Sequence, residues 1–284
     1  MSLGALALLL VAGVLHAAWN LLLKPVAEPL VVLWLAWLVG SLLFLPVLVA
    51  APVPRAIWPF VAASAVVEAA YGLLLARAYT LADFSQAYPL ARGAAPALLV
   101  VWAALALGQV PSAAGLAGIA LIVLGLVPVG GGAAWWRWGG AGFHARGVAA
   151  ALGVALCISL YSLIDGVAVR RTAALPYTVA IVLGGAVILA PAVLARYRGR
   201  AVLAVWRTHA WRVIAAGVLM MVAYAMVLRA YAVAPLGYAG AVREVGVVIA
   251  ALAGWLWLGE SFGPRRLAGA VAVFAGMVVL AFGA

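Results

Sequence analysis

Charge is what this sequence has least of. Only 8% of its 284 residues are Asp, Glu, Lys or Arg and only six are acidic, against 70% hydrophobic residues and a mean hydropathy of +1.27. A water-soluble domain of this length could not cover its surface from so small a polar stock, so soluble classes are excluded. Cysteine is nearly absent: Cys157 stands alone inside an apolar run, which rules out an intrachain disulfide and a zinc-binding spacing. Histidine occurs at 16, 144 and 209, too scattered for a metal set, and no acidic pair shares a helix end. The chain is therefore not read as an enzyme, and no cofactor or metal is implied. A basic n-region is missing before the first apolar run, and His16, Trp19 and Asn20 interrupt it, so that run reads as a retained membrane helix rather than a cleaved signal. Strict polar–apolar alternation is missing too, which excludes a transmembrane barrel.

What is present is a series of continuous apolar runs of about 20 residues, the length a helix needs to cross a ~30 Å hydrocarbon core. Ten are expected: 3–23, 29–50, 58–80, 85–107, 112–130, 147–168, 177–195, 213–232, 236–258 and 264–283. The formal charge of +11 would suggest nucleic acid in a soluble chain, but the arginines lie mostly between the runs. Lipid headgroups are the expected partners there, and nucleic acid is not.

The chain is also a duplication. Arg77 to Gly125 is repeated in degraded form by Arg229 to Gly276. Arg-Ala-Tyr opens both copies, Gly108-Gln109 and Gly259-Glu260 mark a turn in each, and Gly118/Gly125 and Gly269/Gly276 close them with the same seven-residue step. Residues 1–130 and 147–284 are thus read as two five-helix repeats joined by 131–146, a Gly/Trp-rich segment whose Trp135, Trp136 and Trp138 suit the membrane interface. Five is odd, so the repeats are expected to enter the membrane in opposite senses. The fold class is all-α integral membrane, ten helices as two inverted repeats.

Polar residues inside apolar runs are expensive and point to function. His16, Asn20 and Lys24 make one stripe at i, i+4, i+8 with Trp19 at its edge. Glu68 lies ten residues into the third run, followed by Tyr71 and Tyr79 on about the same face. The fourth run carries Tyr88 and Arg92 between Pro89 and Pro96, which are expected to kink it. Arg92 is ~12 Å deep, and its counterpart in the second copy is Glu244, beside Arg243, only ~6 Å away in height. Tyr161 and Ser162 stand where the first repeat has Trp19 and Asn20, and Asp165 follows one turn later, close enough to Arg170 and Arg171 for a local ion pair. Tyr224 belongs to the eighth run, in which Met220 takes the place of Glu68. The segment Arg196 to Arg212 is read as a basic loop.

His16, Trp19, Asn20, Glu68, Tyr71, Tyr79, Tyr88, Arg92, Tyr161, Tyr224, Arg243 and Glu244 are therefore expected to border one central substrate space. Charged groups of both signs at similar depth suit a zwitterion, an arginine taking the carboxylate and a glutamate the ammonium. The alternative is that Arg92 and Glu244 pair across the halves as a lock.

The ten-run architecture, the polar break with Trp19 in the first run and the Leu258-Gly259-Glu260 turn resemble the drug/metabolite transporter superfamily, and within it the EamA branch that includes aromatic amino acid exporters. The resemblance implies a secondary transporter of the cell (inner) membrane, exporting amino acids, large or aromatic ones, by alternating access. His16 to Asn20, Ala87 to Gly93 and Val242 to Glu244 also resemble a subgroup associated with phosphonate use, so another small metabolite is the alternative cargo. Gln109 departs from the pattern, which places an acid at that turn. The resemblance implies cytoplasmic termini, whereas the positive-inside rule favours the opposite orientation. The oligomeric state is left open by the sequence, a monomer being compatible with this reading.

Overall fold

The computed structural model describes all residues except 24, 25, 27, 82, 83, 132–144, 247, 250, 251, 253–255, 257–263, 283 and 284. Within helices it leaves undescribed the side chains of Tyr79 and Tyr88, among others. Those two residues' side chains, Lys24, the three connecting tryptophans and the Leu258-Gly259-Glu260 turn accordingly lie outside the described residues.

The described chain is all helical, without a strand among the described residues. It runs through α1 (Leu3–Leu23), α2 (Pro29–Ala50), a short 3-10 turn (Arg55–Ile57), α3 (Trp58–Leu81), α4 (Phe84–Leu107) and α5 (Ala113–Gly131). After the connection come α6 (Ala145–Ala168), α7 (Ala174–Val233), α8 (Leu236–Arg243) and α9 (Pro264–Phe282). Residues 245, 246, 248, 249, 252 and 256, between α8 and α9, are helical as well. Six described helical stretches are long and apolar enough to cross a membrane. The molecule is arranged for lipid: Leu105, Leu124 and Phe274 stand 75%, 67% and 66% exposed, while Glu68, Asp165 and Glu244 are buried. The protein is a multi-pass membrane protein.

Three local expectations change. The segment 196–212 is not a loop, because α7 is helical without a break from Ala174 to Val233. A straight helix of that length would extend about 90 Å. Yet Tyr177 and Tyr224, near its two ends, hydrogen-bond the same Asp165 carboxylate, so the run folds back on itself and supplies two antiparallel arms. The basic segment is the helical bend between them. Second, α4 is helical from Phe84 to Leu107, its prolines included, and an interruption not expected from the sequence falls in the ninth run, at Glu244. There the Glu244 N–H reaches back to the Ala241 carbonyl at 3.1 Å, an i−3 bond that tightens the turn between Gly240 and Gly246. Third, Gln109 has its own use: its amide oxygen accepts the Leu236 N–H at 2.9 Å, satisfying a donor at the start of α8 from the turn between α4 and α5.

Helix contacts recur in reciprocal pairs. In α5 and α9, a Cβ on Gly125 would stand 2.7 Å from the Gly269 carbonyl oxygen, and one on Gly276 would stand 2.6 Å from that of Gly118. The first glycine of each seven-residue step thus faces the second glycine of the other, and the two helices run antiparallel. α2 meets the second arm of α7 at Gly40, where an added Cβ would lie 2.8 Å from the Gly217 carbonyl oxygen. α3 meets the first arm where a Cβ on Gly184 would lie 2.9 Å from Ala65 Cβ, and Ala65 is the residue matching Gly217 when the Arg-Ala-Tyr copies are aligned. Small residues at these crossings let backbones approach closely, the usual basis of helix association in lipid.

Candidate functional site: a charged and aromatic cavity inside the bundle

Between α1, α2, α3, α4, α6, both arms of α7 and the end of α8 lies a cavity of about 90 Å³. A single water needs only about 10–15 Å³ on this measure, so there is room for a small organic molecule or several waters. Its wall holds eight of the twelve residues expected from the sequence: His16, Trp19, Glu68, Tyr71, Arg92, Tyr161, Tyr224 and Arg243. Trp37, Leu33, Val182, Met220, Ala223 and Val227 complete most of the apolar remainder. Glu244 borders a much smaller space on the far side of Arg243, next to Ser159, Ser162 and Tyr231. Asn20 does not join either group. It is exposed, and its side-chain amide donates to the His16 carbonyl at 2.8 Å, a back-bond to i−4 that holds it on the helix surface.

The charged groups form a connected set. The Arg92 guanidinium meets Glu244 at 3.2 Å and also donates to His16 Nε2. The indole N–H of Trp19 points to His16 Nδ1 at 3.3 Å. A neutral imidazole has one acceptor nitrogen, so His16 serves Arg92 or Trp19 in a given tautomer but not both. Arg243 is held mainly by hydroxyls: Tyr161 at 3.0 Å, Ser162 at 3.2 Å and Tyr231 at 3.3 Å, with Glu244 3.8 Å from its Nε. Its guanidinium carbon also lies 5.7 Å from the centre of the Tyr161 ring. Glu68 differs from all of these. It is 6% exposed, and its Oε2 has no hydrogen-bond partner among the described residues.

Asp165 corrects a sequence expectation. It does not pair with Arg170 or Arg171 at a helix end; it is fully buried and accepts hydrogen bonds from Tyr177, at 2.8 Å, and Tyr224. Those partners lie 12 and 59 residues away, so local sequence could not reveal them. The bond to Tyr224 braces a wall residue from behind. Tyr161 sits edge-on to both Tyr71 and Tyr224, each at 6.1 Å between ring centres, and the three rings make one aromatic face of the cavity.

A bundle with apolar faces outward and ionisable groups gathered round an internal cavity, beside an interrupted helix, has the layout of a membrane transporter. Comparison with known proteins agrees at that level. Residues 145–282 match the sequence profile of the EamA-like transporter family. The match is confined to the second half of the chain, which is thus similar to a family of transporters. No curated protein matches the sequence. Among solved structures, one protein crystal structure superposes with a TM-score of 0.81 at 19% identity, covering 98% of this chain and 96% of that one, a likeness of fold alone.

Proposed function

We propose that the protein is a secondary transporter of the inner membrane in which two inverted repeats, 1–130 and 147–284, rock about the cavity between them, and that it exports amino acids, large or aromatic ones. The observation that carries the mechanism is the Arg92–Glu244 bridge. These two residues occupy the same place in the two copies, yet they touch. Equivalent positions meet only on an axis that relates the copies, and reciprocal contacts flank it at Gly118–Gly276 and Gly125–Gly269. The antiparallel course of the equivalent helices α5 and α9 supports an axis lying across the helices, in the membrane plane, and hence inverted copies.

On this reading the Arg92–Glu244 bridge acts as the lock between the repeats, and Glu68 and Arg243 face the cargo. Alternating access moves the walls contributed by one repeat against those of the other, so the bridge must strain or re-form on each cycle. Saturable counterflow of a labelled aromatic amino acid in proteoliposomes tests the proposal. Non-saturable flux would indicate a channel, and chemical conversion of the solute an enzyme; either result rejects the carrier. Amino acids and the export direction are what the sequence resemblance to aromatic amino acid exporters implies, and the opposed charges within one cavity are compatible with a zwitterion.

A further inference from the structure

The cavity's polar groups are unevenly satisfied. Its two guanidiniums are both engaged: Arg92 with Glu244 and His16, Arg243 with three hydroxyls and the edge of Glu244. Two of the wall tyrosines have committed hydroxyls as well, Tyr161 to Arg243 and Tyr224 to Asp165, so they present rings to the space. Four buried side-chain atoms lack a hydrogen-bond partner among the described residues: Ser41 Oγ, Ser64 Oγ, Glu244 Oε2 and Glu68 Oε2. Glu244 Oε2 still lies 3.2 Å from Arg92, and the serines do not line the cavity. The unmet acceptor on the cavity wall is therefore Glu68 Oε2, more than nine-tenths buried. It lies over Gly185, where a Cβ would stand 3.5 Å from Oε2. Around it on the same wall are Trp37, Tyr71, Tyr161 and Tyr224. A carboxylate in an aromatic enclosure is the arrangement that recognises an ammonium.

Formal charge points the same way. Glu68, Asp165 and Glu244 set three carboxylates against the guanidiniums of Arg92 and Arg243 in this buried region, which is one positive charge short of neutral. A zwitterion leaves that deficit in place, whereas a monovalent cation, or a proton on one of the carboxylates, closes it. In the matching position of the second repeat stands Met220, whose thioether adds a soft wall and no second acid, so one cationic centre is accommodated.

We infer that the substrate is recognised by a cationic nitrogen held at Glu68 within the aromatic wall, and that a carboxylate on the substrate is dispensable. The cargo class then includes primary amines with an aromatic or apolar body, of which amino acids are one subset. This rests on the carrier reading for its transport consequence, but the binding it describes can be measured without transport.

The test uses four compounds sharing one phenyl body: phenylethylamine, phenylalanine, N-acetylphenylalanine and phenylpropionate. Binding to the purified full chain in nanodiscs is followed by tryptophan fluorescence, and counterflow is measured in parallel. Phenylethylamine is expected to bind at least as tightly as phenylalanine, and the two compounds without a free amine at least about tenfold more weakly. Glu68→Gln should weaken amine binding about ten- to a hundredfold, with Glu68→Asp intermediate. Binding of phenylpropionate in preference to the amine, failure of the amine to bind, or unchanged affinity in Glu68→Gln would overturn the inference. Should Glu68→Gln not fold, the wild-type ranking decides alone. Amine binding without flux would uphold the site and reject the carrier; saturable flux of phenylpropionate but not of the amine would do the reverse.

Discussion

At the scale of single residues, the bridge between Arg92 and Glu244 makes the sharpest demand. Breaking a buried ion pair from one side strands the other charge, at a cost of about 3–5 kcal/mol. Arg92→Ala is therefore expected to abolish transport and lower the melting temperature, and Arg92→Ala combined with Glu244→Ala to be more stable than Arg92→Ala alone. A thermal-shift assay on the two variants checks this, and an equal or worse double variant would show that the bridge is not the reason. Arg92→Lys should rescue poorly, because an ammonium cannot span Glu244 and His16 as the planar guanidinium does. Glu244→Gln, acting on a lock, should leave substrate affinity unchanged and alter the exchange rate. Asp165→Asn replaces an acceptor-only carboxylate with an amide that offers one oxygen to two tyrosine hydroxyls. The expected cost is about 1–3 kcal/mol in unfolding experiments, the penalty for one unsatisfied buried donor. Glu68, Arg92, Arg243 and Glu244 were legible as single costly residues in apolar runs, since lipid penalises them wherever the fold puts them. Asp165 was misread because its neighbours in sequence offered a plausible local partner, while its actual partners are on the two arms of α7.

Elements were legible to the degree that hydrophobic length sets them. The first five runs end within a few residues of α1 to α5, because a bilayer-sized apolar stretch leaves little choice. Charge misled at 196–212: arginines suggested a loop, but nothing in that stretch forbids a helix, and α7 continues through it. The interruption at Glu244 had no proline to announce it, whereas α4 stays helical through Pro89 and Pro96. The glycines of the repeat, by contrast, were visible as a spacing before they had a role. They now mark where helix backbones meet. Gly217→Leu is expected to force α2 and the second arm of α7 apart at Gly40, losing about 1–3 kcal/mol or more, with a lower melting temperature in detergent. Gly4→Leu, where an added Cβ meets nothing within 4 Å, serves as the control and should melt like the parent.

The whole molecule adds a topological prediction. If the repeats are inverted, the bend between the arms of α7 lies across the membrane from the equivalent turn between α2 and α3. Cys157→Ala gives a cysteine-free background, since that is the chain's one cysteine. Ala56→Cys and Thr208→Cys, both at exposed positions, should then react with a membrane-impermeant thiol reagent from opposite faces of oriented vesicles. Labelling of both from one face would sink the inverted arrangement, and the face that labels Thr208→Cys also reveals whether the arginine-rich bend is cytoplasmic. The Arg92–Glu244 bridge has a further consequence for how such a chain could have arisen. Two identical copies meeting on a shared axis can set only like against like, arginine on arginine or glutamate on glutamate, and both combinations repel. Opposite charges on such an axis require two sequences free to differ, so on the inverted-repeat reading this bridge cannot have existed in a self-pairing ancestor. Co-expressed fragments 1–131 and 145–284 should accordingly find each other, while either fragment alone should not form the corresponding pair with itself.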